Sequence, residues 1–194
     1  MLVTNIVEVS RSEDTKGRLQ EVAVALFAER GFDNVTVAEV ARTAGVSHMT
    51  FFRHFATKEA VVLDDPYDPV IAAAVAGTDN SLPALERVRM AVLESWEGLD
   101  EPGDDLTRAR IELAAGHPKL RARVWENNRR TEEIIVAALC NGDVPTLEAK
   151  VAAGAVLGAL TAALFDWAET PAGDTLGDRV RRAMVLLAPL GATT

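Results

Sequence analysis

Along the first third of the chain the apolar positions fall at helical intervals. Leu19, Val22, Ala23, Leu26 and Phe27 recur at i, i+3, i+4, i+7 and i+8, the stripe that an amphipathic helix lays against a core. This spacing predicts a helix over Thr15–Arg30, stopped by Gly31, after which Phe32 packs into a small three-helix core. Val37, Val40, Ala41 and Ala44 form a second such face. Thr36 precedes it as an N-cap, and Glu39, three residues on, can reach back to close a capping box. Gly45 then supplies the positive backbone angle with which a helix ends in a sharp turn. Ser47 caps a third helix, in which Phe51 and Phe55 at i and i+4 face inward.

Two short helices joined at a glycine turn and backed by a longer one are the layout of a helix-turn-helix DNA reader. In that layout His48, Met49, Thr50, Phe52, Arg53 and His54 lie on faces that a groove can receive.

Beyond Lys58 the periodicity stays helical, with no alternating strand pattern. Helices are predicted over Thr57–Asp64, Asp68–Ala76, Leu82–Leu99, Leu106–Ala115, Pro118–Leu139, Thr146–Ala168 and Thr175–Leu187. The expected fold is all-α: an N-terminal arm and three-helix helix-turn-helix DNA-binding domain over 1–58, then a helical ligand-binding and dimerisation domain over 59–194. Pro66 and Pro69 break the helix after Lys58 and predict a connector in two pieces. Asp100–Asp105 reads as an acidic loop, and Thr170–Asp174 separates the last two helices. Gly154, Gly158 and Ala162, with Ala155 and Ala159, allow close helix approach. They predict that the last two helices meet a second copy in a two-fold four-helix bundle, making a homodimer.

Composition changes this picture little. At 194 residues, 48% hydrophobic and 25% charged, the chain is an ordinary globular protein of one or two domains. A net charge of -9 looks adverse for a DNA binder, but residues 1–58 hold seven Lys/Arg and seven Asp/Glu, so the excess acid lies behind the reader. Arg11, Lys16, Arg18, Arg42, Arg53 and Lys58 would supply local attraction, and non-specific affinity should be modest. The lone Cys140 excludes an intramolecular disulfide and fits a reducing, cytoplasmic setting. Met1–Glu8 lacks the basic start and unbroken apolar run of a signal peptide. Val151–Phe165, bounded by Lys150 and Asp166, is too short an apolar run for a membrane span, so a buried helix and no membrane partner are expected.

The run from Leu26-Phe27-Ala28-Glu29-Arg30-Gly31-Phe32 through Val35-Thr36-Val37 and Ala41-x-x-x-Gly45-Val46-Ser47 to Thr50-Phe51-Phe52-Arg53-His54-Phe55-x-x-Lys58-Glu59 resembles the TetR family of repressors. The resemblance implies that Thr36, Thr50, His54 and Lys58 sit at phosphates, which position the protein without reading sequence. It gives base reading to Ser47, His48, Met49 and Arg53, with Val37 adding only apolar contact. Many members carry glycine at the Met49 position and tyrosines at those of Phe52 and Arg53. This chain therefore lacks a phosphate-contacting hydroxyl at Phe52 and gains a guanidinium at Arg53. Such a group takes O6 and N7 of guanine together, or pairs with a phosphate. The partner implied is a palindromic double-stranded DNA operator.

The rear segments Ala109-Arg110-Ile111-Glu112-Leu113, His117-Pro118-Lys119-Leu120-Arg121-Ala122-Arg123 and Phe165-Asp166-Trp167 are similar to the C-terminal domain of an actinobacterial branch that contains mycofactocin-associated regulators. This implies a small-molecule inducer, with acyl-coenzyme A one candidate. From the residues themselves, Trp96, Trp125 and Trp167 are the large groups available to line a pocket between helices. Arg110, among Arg108, Arg121, Arg123, Arg129 and Arg130, suits a carboxylate or phosphate, and Asn128 beside Asn127 offers hydrogen bonds. Core packing and solvated helix faces are the competing explanations at each.

Enzymatic chemistry finds little support. His48, His54 and His117 are scattered, and no metal pair, phosphate loop, nucleophile elbow or paired-cysteine site is present. No catalytic residue, metal or cofactor is expected. A spatial pairing of Cys140 with His117 competes with a plain structural thiol. The functional expectation is a ligand-responsive transcriptional repressor. A helical ligand-binding or adaptor protein without sequence-specific DNA binding is the alternative, and DNA binding by the chain separates the two.

Overall fold

The computed structural model describes residues 2–64, 68–97, 105–170 and 173–188, with residues 2–13, 68, 69, 72 and 97 described by backbone alone. No strand occurs among the described residues. Helix α1, Leu2–Arg30, begins well before the predicted Thr15, since no proline interrupts the segment upstream. Gly31, at φ 84°, ends it and starts a 3-10 turn, Phe32–Asn34, that turns Phe32 into the core.

Helix α2, Val37–Thr43, starts on a complete capping box. The Glu39 amide donates to Thr36 Oγ1 at 3.2 Å and the Thr36 amide donates to Glu39 Oε2 at 2.8 Å. Arg30 Nη2 reaches the other carboxylate oxygen at 2.8 Å. At the far end the Val46 amide donates to the Ala41 carbonyl and the Gly45 amide to that of Arg42, at 2.9 and 3.1 Å. This paired closure needs a left-handed residue, and Gly45 has φ 68°. Helix α3, His48–His54, then starts on Ser47, whose Oγ accepts from the Thr50 amide at 3.0 Å.

Leu19, Ala23 and Phe27 of α1 pack with Phe32, Val35, Val40, Ala41, Phe51 and Phe55 in a front core. That core continues past residue 58. It takes Val61 and Val62 from α4, Ala60–Leu63, and Leu120 from α8, Pro118–Cys140. Behind it lie α5, Asp68–Gly77; α6, Ala84–Glu97; and α7, Asp105–Gly116. Helices α9, Thr146–Glu169, and α10, Leu176–Leu186, complete the rear. Helix α9 runs through this half and packs on α6, α7, α8 and α10, where Val156, Leu139, Val88 and Met184 share the second core. By length and composition α9 would pass for a membrane span, longer than the apolar run read from sequence; here its contacts on several sides make it the spine of the rear domain.

Beyond Lys58 the predicted helices are present with ends moved by a few residues, except that α4 shrinks to four residues. It ends before Asp64 and α5 starts at Asp68, so the connector is in two pieces. Pro66 itself, most of the predicted acidic loop at 100–105, and residues 171–172 of the last linker lie outside the described residues. One buried charge needs an account. Arg87 is 1% exposed, donates to Thr78 Oγ1 at 3.0 Å and to the Val75 carbonyl at 3.4 Å, and so caps the end of α5. A Cβ at Gly142 would lie 3.0 Å from Arg87 Nη1 and 2.9 Å from Asn80 Oδ1, so glycine there makes room for the arginine.

The capping box gives the first prediction. Thr36→Ala removes the N-cap acceptor and should cost about 1 kcal/mol in urea unfolding. Glu39 is held down to about 2 by the Thr36 amide, then Arg30, then the Thr36 hydroxyl. Its contribution to stability is therefore present above the ordinary carboxylate range and is lost as pH falls toward about 2. Glu39→Gln should be less stable than wild type at neutral pH and should flatten this acid limb.

Candidate DNA-binding face and ligand cavity

Helix α3 presents its outer face on a fixed frame, because Phe51 and Phe55 are buried beneath it and Ser47 holds its start. Met49 is 76% exposed and Phe52 41%. The His48 ring stands edge-on to Phe52, with centroids 4.8 Å apart. Arg53 is exposed, and no described carboxylate pairs with it. The Ser47 and Thr50 hydroxyls lie 2.9 Å apart and bond each other, and each keeps lone-pair capacity for a further contact. Thr36 is exposed, though its hydroxyl serves the capping box, and Val37 is half-buried against the front core.

Two of the expected phosphate residues are placed differently from their neighbours. Burial, then the charges of Arg53 and Lys16, pushes the His54 imidazole below its ordinary pKa. Its Nε2 is enclosed with no partner among the described residues. Lys58 turns its ammonium onto the core: it donates to the Phe32 carbonyl and lies 4.3 Å from the Phe32 ring centroid and 5.3 Å from that of Phe27. Burial lowers its pKa. In this position Lys58 clamps the α4 entry to the front core.

A cavity of about 180 Å³ lies among α4 to α10. Its walls are aliphatic and aromatic, including Leu63, Ile111, Leu160 and Phe165, with Trp96, Arg110 and Asn128 among the residues that face it. Three of the five expected ligand residues are thus brought together. The other two are elsewhere. Trp125 is 61% exposed on the outside of α8, and Trp167 is buried under the Arg108 guanidinium, 3.9 Å from its ring. Thr161 also lines the cavity and accepts from Asn128 Nδ2 at 2.8 Å while donating to the Leu157 carbonyl. Its signal in the sequence is that it is the only hydroxyl in the apolar run Val151–Phe165.

The cavity and the reader meet at α4. Arg110 Nε donates to the Val62 carbonyl at 3.0 Å and Nη2 to that of Asp64 at 2.7 Å. Gln20 of α1 also donates to the Asp64 carbonyl, at 3.3 Å, and Lys16 pairs with its carboxylate. Nearby, Lys119 and His117 meet Asp33 at 2.8 and 3.2 Å, and these bonds, Lys119 first, hold the Asp33 carboxyl below its usual range. His117 precedes α8 whereas Cys140 ends it, roughly 35 Å apart by helical rise, which removes a cysteine–histidine site.

Along α9, Gly154 and Ala162 are exposed and Gly158 half-buried. Leu147 and Val151 of the same helix, with Val185 and Leu186 of α10, are 62 to 79% exposed.

Residues 19–64 match the family model for bacterial regulatory proteins of the tetR family, and residues 82–190 match that for the MftR C-terminal domain. A protein of Mycobacterium tuberculosis named as a mycofactocin biosynthesis transcriptional regulator, MftR, is 26% identical over 162 residues, 81% of each chain. The transcriptional regulator TcmR of Streptomyces glaucescens is 34% identical over 128 residues, 62% of this chain and 55% of its own. Among solved structures a SmeT–triclosan complex shares the fold at a TM-score of 0.59 and 18% identity, over 90% of both chains. The capped reader, the helical rear half and both family matches agree: the chain belongs to the TetR family of DNA-binding transcriptional regulators.

Proposed function

We propose that the protein is a homodimeric repressor that binds a palindromic operator through α3 and leaves it when a largely apolar small molecule fills the cavity among α4 to α10. The observation that carries the DNA half is the exposed face of α3 held on a capped frame. The ligand half rests on the apolar cavity whose wall includes the connector α4. A SmeT structure of the same fold is a complex with triclosan, in keeping with a small-molecule occupant. Base reading falls to Ser47, His48, Met49 and Arg53, and positioning to Thr36, Thr50 and His54, with Val37 and Phe52 adding apolar contact. Met49 and Phe52 suit thymine methyl groups and Arg53 suits guanine. Lys58 holds α4 to the reader. An acyl chain matches the aliphatic lining, so acyl-coenzyme A is the specific inducer to test. Its carrier portion would have to lie outside a void of about 180 Å³.

The outer face of α9 and α10 supports dimerisation. Two readers on one side of a duplex must lie about 34 Å apart or a multiple of it, and Gly154, Gly158 and Ala162 allow two copies of α9 to approach closely. Equilibrium sedimentation at micromolar concentration should show a dimer, and Gly158→Leu should loosen it. A wild-type monomer would overturn this arrangement.

Arg53→Ala and Lys58→Ala should differ. The first should cost ~1–3 kcal/mol on the operator and relax one position, measured by binding to a library of single-base variants. The second should lower the thermal midpoint and weaken all sequences alike, with little change in the salt slope. A full unit of salt slope lost in Lys58→Ala would restore it as a phosphate contact.

Titrating the protein–operator complex with a long-chain acyl-coenzyme A, the matching free acid and free coenzyme A tests the inducer. At least one acyl species should lower operator affinity while free coenzyme A does not. Release by a polar or metal ligand alone would remove the apolar reading.

A further inference from the structure

Arg110 belongs to the cavity and to the reader at once. It lines the void from α7, yet Nε and Nη2 both serve carbonyls at the end of α4. No described residue accepts from Nη1, and no described carboxylate lies within ion-pair distance of the guanidinium. The neighbouring arginines are different. Arg108 lies on Trp167, Arg121 reaches Glu169 and Arg123 pairs with Glu126. Among the described residues, then, Arg110 is a cation on the cavity wall whose acceptors are both neutral. A carboxylate is the stronger acceptor for a guanidinium and takes two parallel N–H groups at once.

We propose that the cavity takes a compact apolar carboxylate, and that this carboxylate draws the Arg110 fork off the Val62 and Asp64 carbonyls, freeing α4 and the reader attached to it. The inference rests on the ligand-release reading above and names the head group and the contact through which it acts. A void of about 180 Å³ suits a short acyl or aryl body enclosed with its own carboxylate. A thioester or amide offers a neutral carbonyl oxygen and no fork. The shift of state comes from differential affinity: the acid gains the full fork only in the form in which α4 has lost it. Operator and acid must then weaken each other by the same factor.

The test uses the full chain, an operator fragment, and octanoate, octanamide and octanoyl-coenzyme A as probes, with binding followed by calorimetry and operator affinity by anisotropy. Octanoate should bind about tenfold tighter than octanamide, lower operator affinity, and itself bind more weakly, by that same factor, to the operator-bound protein. In Arg110→Gln the preference for acid over amide should vanish, and operator affinity without ligand should fall several-fold, with no further effect of octanoate. Arg110→Lys, which keeps the charge without the fork, should retain part of the preference. Equal binding of acid and amide by the wild type overturns the proposal without recourse to any variant. So does a preference for the acid that survives in Arg110→Gln. If octanamide or octanoyl-coenzyme A releases DNA and octanoate does not, the carboxylate assignment falls while release by an apolar ligand stands. If octanoate does not bind, the carboxylate assignment falls as well.

Discussion

A helix of four residues cannot satisfy its own backbone. Each helix end leaves carbonyls or amides without intrahelical partners, and α4 is little more than two such ends joined. Its final carbonyls are met from outside, by Arg110 of α7 and Gln20 of α1, while Lys16 and Lys58 tie its flanks to the front core. The position of α4 is therefore decided by its neighbours. Because those neighbours belong to both halves of the chain, any change in the rear that alters the supply of donors is felt in the front.

The two cores carry different duties. The front core fixes the orientation of α3, whose exposed side chains can then meet a groove in one pose. The rear core encloses a void beside α9, at the place where several helices converge and their side chains cannot fill the space between them. The acid excess follows the same division, since residues beyond 58 hold it and the reader is nearly neutral. A negatively charged body behind a neutral reader disfavours DNA everywhere except at the face that is built for it.

What was legible in the sequence is what is local. Thr36 with Glu39, Gly45 and Ser47 act within four residues of their partners, and each forms the cap or turn that its spacing predicts. Phe51 and Phe55 were readable as inward from period alone. The early start of α1 escaped because polar residues break the apolar stripe there without breaking the backbone pattern. The cavity was legible only in part. Trp96, Trp125 and Trp167 look alike as residues, yet one lines the void, one is exposed and one is packed beneath an arginine, because helix rotation sets their directions. Lys58 was equally opaque: its use as a clamp depends on the Phe32 carbonyl and two rings that the turn at Gly31 brings to it.

Leu120 is fully buried in the front core although it belongs to the first turn of α8. A boundary drawn at residue 58 would leave a hole there, and a second at Val61 and Val62. Exchange of readers between regulators of this architecture is therefore an exchange of matched surfaces. A grafted N-terminal segment brings its own socket for the host's Leu120, and a chimera keeps its register only where that socket and the host side chain agree in volume. New operator specificity is transferred more safely by replacing the exposed side chains of α3 than by transplanting the fold that displays them.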